Sequence, residues 1–310
     1  MKKLGLSVLI VALLVIGANV AGHHFRYDLH AAAINFEREA ASLEPFTTQI
    51  DGEVVNYYSS AEKPEKIVML HGFTGSKDNW PRYASHFIDR YQVIVPDLKG
   101  HGENKQDLNG SYHVEDQVQF VDALMGAIGV KKFHLVGNSM GGAISMLYAA
   151  SFPEKTASVT LISPAGVHDV PSEMDTILEG GKNPLIARTE QQFIEILDFV
   201  MSEQPFIPGP ISQVEAEKAV ARADLNAVIF KQLREDLAAG VNSKINQVNT
   251  PTFIIWGEED RVINAKNIDK YASLVAGAKT LVMSGIGHLA MVEVPSYTAD
   301  ETLKFITQLN

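Results

Sequence analysis

Six short runs of apolar, β-branched residues recur along this chain, at 66–70, 92–95, 133–136, 158–162, 252–256 and 280–283. Helical patterns at 80–88, 114–128, 139–150, 265–275 and 296–309 lie between or after them. A run with no polar alternation is buried on both of its faces. Strands of that kind, separated by helices, predict a mostly parallel α/β sheet covered on both sides, the core spanning 49–165 and 249–310. Residues 166–248 break the rhythm with no convincing strand, and the prolines at 205, 208 and 210 punctuate them. So long a stretch exceeds an ordinary loop and predicts an inserted helical cap.

The chain has 310 residues and a net charge of −11, with lysines and arginines no denser than pairs. An acidic surface repels phosphate backbones, which excludes nucleic acid as the expected partner. There is no cysteine, hence no disulfide, thiolate metal site or cysteine nucleophile.

Lys2 and Lys3 precede nineteen uncharged residues, 4–22. That length is just enough to cross a hydrocarbon core, with the lysines on the cytoplasmic side. Two readings stay open for residues 1–22, an uncleaved membrane anchor or a cleaved signal peptide. Either one predicts export, with the folded part periplasmic on an inner-membrane anchor or secreted. Within a linker at 23–48, Leu29, Ala33, Phe36, Ala40 and Leu43 recur at helical spacing. They predict an amphipathic helix lying on the domain or on a membrane surface.

The candidate chemistry centres on Gly137-Asn138-Ser139-Met140-Gly141. Ser139 follows a predicted strand and opens a predicted helix, the context of a nucleophile elbow. A serine nucleophile needs a base. Of ten histidines, His288 lies just beyond the last predicted strand, in SGIGHLAMVEVP. The base needs an orienting carboxylate, and WGEEDRV offers Glu258, Glu259 and Asp260. Asp260 is taken as that acid, with both glutamates kept for comparison, because the order Ser, Asp, His suits this architecture. The turn MLHGFTGS, 69–76, places Phe73 to offer its backbone N–H beside that of Met140 as an oxyanion hole. His71 in the same turn is expected to shape the loop.

HGFTGSKDNW, PDLKGHGEN, GNSMGGA, WGEEDRV and GHLAMVEVP, in that order, resemble the α/β-hydrolase superfamily over roughly residues 50–310. The nearer likeness is to bacterial lipases and to monoacylglycerol lipases with an N-terminal membrane segment. The resemblance implies Ser139 as nucleophile, Asp260 as acid, His288 as base, and the Phe73 and Met140 amides as oxyanion hole. It departs from DLPGHG with Lys99. It carries Ser163-Pro164 where some relatives hold the acid, which favours Asp260. Ser139 excludes the branches that use an aspartate nucleophile.

The expected function is a serine carboxylic-ester hydrolase of lipid-like esters, mono- or other acylglycerols. No metal and no organic cofactor is expected. Apolar cap residues, Phe193, Leu197 and Met201 among them, are expected to bind the acyl chain. Two rivals are a carbon–carbon bond hydrolase of ring-cleavage products, which shares GNSMGG, and a silent hydrolase-fold binding protein, which would be expected to lack a member of the triad.

Overall fold

A computed structural model describes residues 22 and 24–309 of the chain. Its centre is an eight-stranded sheet in the order β1-β2-β4-β3-β5-β6-β7-β8. The strands are β1 (Glu44–Ile50), β2 (Glu53–Ser59), β3 (Glu65–Leu70), β4 (Tyr91–Pro96), β5 (Phe133–Asn138), β6 (Thr156–Ile162), β7 (Thr252–Gly257) and β8 (Lys279–Met283). From β4 across to β8 every pairing is parallel, while β1 and β2 run antiparallel to their neighbours. All six expected strands are present.

Alternation across the pleat divides the core. Ile67 and Met69 of β3, with Phe253 and Ile255 of β7, pack under α2 (Pro81–Ala84), α10 (Ala290–Glu293) and α11 (Pro295–Thr307). Val68 and Leu70 face the other way, against α3 (Val114–Ala127) and α4 (Met140–Ser151). Ile254 and Trp256 join α4 and α9 (Asn267–Leu274) on that second face. Both faces are therefore covered by apolar packing, which leaves the carboxyl edge of the sheet for a site.

Between β6 and β7 the described chain forms α5 (Glu173–Glu179), α6 (Glu190–Val200), α7 (Gly209–Ala221) and α8 (Ala223–Ala238), then a 3-10 helix over Val241–Gln247. These helices stand over the carboxyl edge.

Three expectations need correction. Residues 44–48, assigned to the linker, belong to β1. That strand is solvent-exposed along most of its length, so it carries no apolar run. Asp51 and Gly52, both at positive φ, join it to β2 in a tight hairpin turn. The helix expected over 80–88 stops at Ala84. Beyond it His86, Phe87 and Arg90 donate to carbonyls three residues back, so the chain tightens into turns.

The amphipathic helix is α1 (Arg26–Ala40). Its expected apolar line is not its buried side: Leu29 and Phe36 are exposed, and His30 and Arg38 are buried. It docks through polar side chains, Arg26 and Tyr27 on Glu217 and His30 on Glu215, both glutamates belonging to α7. Residues 1–21, which hold nearly all of the expected anchor or signal segment, lie outside the described residues. Among the described residues no helix is long and apolar enough to cross a membrane.

Three buried histidines are held neutral by the fold. Burial lowers His71 and His134 to about 4 and takes His101 well below its ordinary value. Their unfolded forms titrate near 6.5. Below that pH the unfolded chain binds protons that the folded one refuses, so stability is full above about pH 7 and falls on acidification. We predict a denaturation midpoint that drops between pH 7 and 5, each histidine contributing at most about 1.4 kcal/mol per pH unit. Replacing His134 by leucine should flatten that slope by one proton. A midpoint independent of pH over this range would contradict the assignment.

Candidate active site

Ser139 sits between β5 and α4 at φ 52° and ψ −116°. This is a strained conformation for a residue with a side chain, and it persists only where surrounding contacts enforce it. A Cβ on Gly137 would lie 2.3 Å from the Gly141 carbonyl oxygen, and one on Gly141 would lie 2.2 Å from that of Leu70. The two glycines thus let the helix start pack directly on the ends of β3 and β5. Ser139 N donates to Ile162 O at 3.1 Å, and Ser139 O accepts from Gly142, Ala143 and Ala165. The elbow is held from both sides. Its serine points from the N-terminus of α4, where Met140 N–H has no acceptor inside the helix and the helix dipole favours negative charge.

The two other expected residues meet. Asp260 Oδ2 accepts from His288 Nδ1 at 2.7 Å and from Trp256 Nε1 at 3.0 Å. Its Oδ1 accepts from the backbone N–H groups of Val262 and Ile263, each at 2.9 Å. Four donors and complete burial of the side chain keep this carboxylate in one orientation. The proton it holds on Nδ1 leaves Nε2 of His288 as the basic nitrogen. Glu258 and Glu259, two and one residues earlier, are exposed, and the carboxylate that His288 meets is that of Asp260.

His288 is tied to the elbow as well. Asn138, immediately before Ser139, donates from Nδ2 to His288 O at 3.2 Å. His288 N donates to Val200 O at 2.9 Å, joining the loop to the end of α6. Sequence reasoning missed Glu293. Its carboxylate accepts from the N–H groups of Gly287 and Leu289, and from those of Ser202 and Glu203. One side chain thus fastens the histidine loop to the cap. The available signal was a carboxylate five residues after the histidine, within the same motif.

The 71–75 turn abuts the serine: a Cβ on Gly72 would lie 3.1 Å from Ser139 Cβ. His71 shapes this turn, as expected. Its Nε2 accepts from Leu98 N at 3.0 Å, which places the ring proton on Nδ1, facing Gly72 O at 2.8 Å. Gly75 N donates to the same carbonyl at 3.1 Å. Gly72 C=O and Phe73 N–H share one planar peptide, so anchoring the carbonyl fixes the direction of that N–H.

Ser139 opens into a cleft lined by Phe73, Met174, Leu185, Phe230, Leu233 and Val262, with His168, Asp175 and Arg234 among its polar neighbours. Phe193, Leu197 and Met201 are not part of that lining. Leu197 and Met201 pack down on the core beside Trp256, and Phe193 lies half-exposed away from the cleft. The apolar face of α6 is spent on holding the cap to the sheet, and the cleft is furnished by α5 and α8 instead. Among the described residues no cluster of histidine and carboxylate side chains could hold a metal ion.

This arrangement has counterparts. A family model described as "alpha/beta hydrolase fold" matches residues 66–295. Lipase 3 of Moraxella sp. (strain TA144) is 31% identical, over 98% of each chain. The monoacylglycerol lipase ABHD6 of Mus musculus is 27% identical over 79% of this chain and 76% of its own. Among solved structures, a membrane phospholipase A described as a bacterial virulence factor superposes with a TM-score of 0.89 at 35% identity, covering 100% of this chain and 99% of that one. A sheet of this order, a strained serine at its carboxyl edge and a family match over well over half its length place the chain in the α/β-hydrolase family, to which it belongs as a carboxylic ester hydrolase.

Proposed function

We propose that this chain cleaves acyl esters of glycerolipids, monoacylglycerols foremost, through Ser139, His288 and Asp260. The observation that carries the reading is the Asp260–His288 pair at the elbow, a buried carboxylate with every acceptor position directed and an imidazole whose free nitrogen is the basic one. His288 Nε2 takes the proton from Ser139 Oγ as that oxygen attacks the ester carbonyl. The Phe73 and Met140 N–H groups receive the charge on the tetrahedral oxygen. His288 then gives its proton to the departing alcohol. Water, deprotonated by the same nitrogen, releases the acyl group from Ser139.

The apolar lining of the cleft suits a fatty acyl chain, and the relatives named as lipase, monoacylglycerol lipase and phospholipase A act on esters of that kind. The cleft encloses only about 40 Å³, whereas sites for organic ligands run to roughly 300–1,000 Å³. Substrate therefore binds with α5 and α8 moved apart, and the cap closes over it.

Membrane attachment completes the reading. Residues 4–22 insert as an anchor, or direct export before their removal, and the folded part works outside the cytoplasm. The exposed Phe25, Leu29 and Phe36 of the α1 region, spaced four and seven residues apart, then lie in the lipid interface.

Initial rates on monoacylglycerols, triacylglycerols, a diacyl phospholipid and p-nitrophenyl esters of rising chain length test the substrate class. Turnover that favours medium or long acyl chains on glycerol supports the proposal; turnover of acetyl esters alone contradicts it. Ser139→Ala should lose on the order of 10⁶ in kcat while remaining folded. Asp260→Asn should lose about 10⁴, the price of the wrong imidazole tautomer. Glu258→Gln and Glu259→Gln should leave kcat nearly unchanged. Full activity in Ser139→Ala, or a greater loss in either glutamate variant than in Asp260→Asn, would overturn the assignment.

A further inference from the structure

The turn that carries Phe73 leans on a second loop, 97–104, and the cap grips that loop. Arg222 stands at the joint between α7 and α8. Its guanidinium donates to Gly100 O and, at 3.3 Å, to Gly102 O.

The loop itself has little room to yield. Gly100 and Gly102 have φ of +77° and +53°, and a Cβ on Gly102 would lie 2.1 Å from the Asp97 carboxylate. Asp97, fully buried, accepts from Lys77 N and Glu103 N at 2.9 Å each and pairs with Lys77 Nζ at 2.7 Å. The next residue, Leu98, supplies the N–H that His71 Nε2 accepts, and His71 Nδ1 in turn holds Gly72 O. Polar contacts, joined through the backbone between Gly100 and Leu98, thus lead from the cap joint to the peptide whose far end is Phe73 N–H.

We propose that Arg222 is a positioning residue that couples the cap to the oxyanion hole, so that Phe73 N–H is aimed at Ser139 only while α7 and α8 are seated. The inference rests on the reading of Ser139 as nucleophile and of Phe73 N–H as a donor to the tetrahedral oxygen. Its physical basis is lever-like. The helix that begins at Arg222 also furnishes Phe230 and Leu233 to the cleft, so the movement that admits substrate shifts the guanidinium as well. With the cap open, the carbonyls of Gly100 and Gly102 lose their donor and the loop behind His71 loosens. With it closed over an acyl chain, the donor is restored and water is excluded at the same moment. Arginine suits the task because a planar fork reaches two carbonyls together, which an ammonium group does less well.

Steady-state kinetics of Arg222→Ala and Arg222→Lys on a p-nitrophenyl ester, with melting temperatures recorded alongside, test this. Deleting an oxyanion donor outright costs roughly 10²–10³ in kcat. Misaiming one through Arg222→Ala should cost about 10-fold or more in kcat, with KM changed less than about 3-fold. Free guanidinium at non-denaturing concentration should restore much of the loss in Arg222→Ala, and Arg222→Lys should remain impaired. Wild-type kcat in Arg222→Ala would overturn the proposal. So would a loss that guanidinium leaves unchanged while the melting temperature falls, since that marks a structural role only. If Arg222→Ala fails to fold, Arg222→Lys carries the test, and wild-type kcat there overturns it equally. Absence of any Ser139-dependent ester turnover in the wild-type protein is a separate result, and it would overturn the underlying reading first.

Discussion

The contact between the start of α4 and the carboxyl ends of β3 and β5 is the constraint on which the rest of this molecule depends. It is a contact between backbones. Gly137 and Gly141 permit it, and any Cβ at either position would collide with a carbonyl or with Ser145. Because the chain must turn so sharply there, Ser139 is forced into positive φ and its side chain stands clear of the sheet. Strain of this kind costs about 1–3 kcal/mol and is maintained by the surroundings. Here those surroundings are Ile162 O, Ala165 N and the packed helix behind them.

The groups around the serine are fastened in a similar manner, through backbone N–H groups held by carboxylates, those of Asp260 and Asp97 buried and that of Glu293 half-buried. Asp260 holds two N–H groups of its own loop besides the imidazole. Glu293 holds four N–H groups on two segments. Asp97 holds two, and Lys77 compensates its charge. Buried charges are costly unless fully partnered, and those of Asp260 and Asp97 are. If the cap opens for substrate as proposed, the contact between Arg222 and the 97–104 loop is one of the places where that movement bears on the site.

Much of this was legible in the sequence, for identifiable reasons. Strands β3 to β8 could be read because most of them are dry on both faces and so have apolar residues throughout. Ser139 could be read because its glycines and its strand–helix context are local. The β1–β2 hairpin could have been found from Asp51-Gly52, but β1 lacks an apolar face and so was absorbed into the preceding linker. Phe193, Leu197 and Met201 do not line the cleft, since apolarity alone does not say whether a helix face meets ligand or core. Asp260 was separable from Glu258 and Glu259 by chain order, whereas its four donors appear only in three dimensions. Arg222 could not be read at all: its partners are backbone carbonyls some 120 residues earlier in the chain, and a carbonyl leaves no mark on sequence.

The central claim is that the elbow at Ser139 makes that one serine, among all those in the chain, a nucleophile. Reaction of the folded protein with an alkyl fluorophosphonate, followed by peptide mass mapping, measures this directly, because the reagent bonds only to an activated hydroxyl and leaves its mass there. The account predicts a single phosphonyl group, one per chain, on the peptide that contains Ser139. An adduct on a different residue, or none on a protein that is folded and turning over ester, would contradict it.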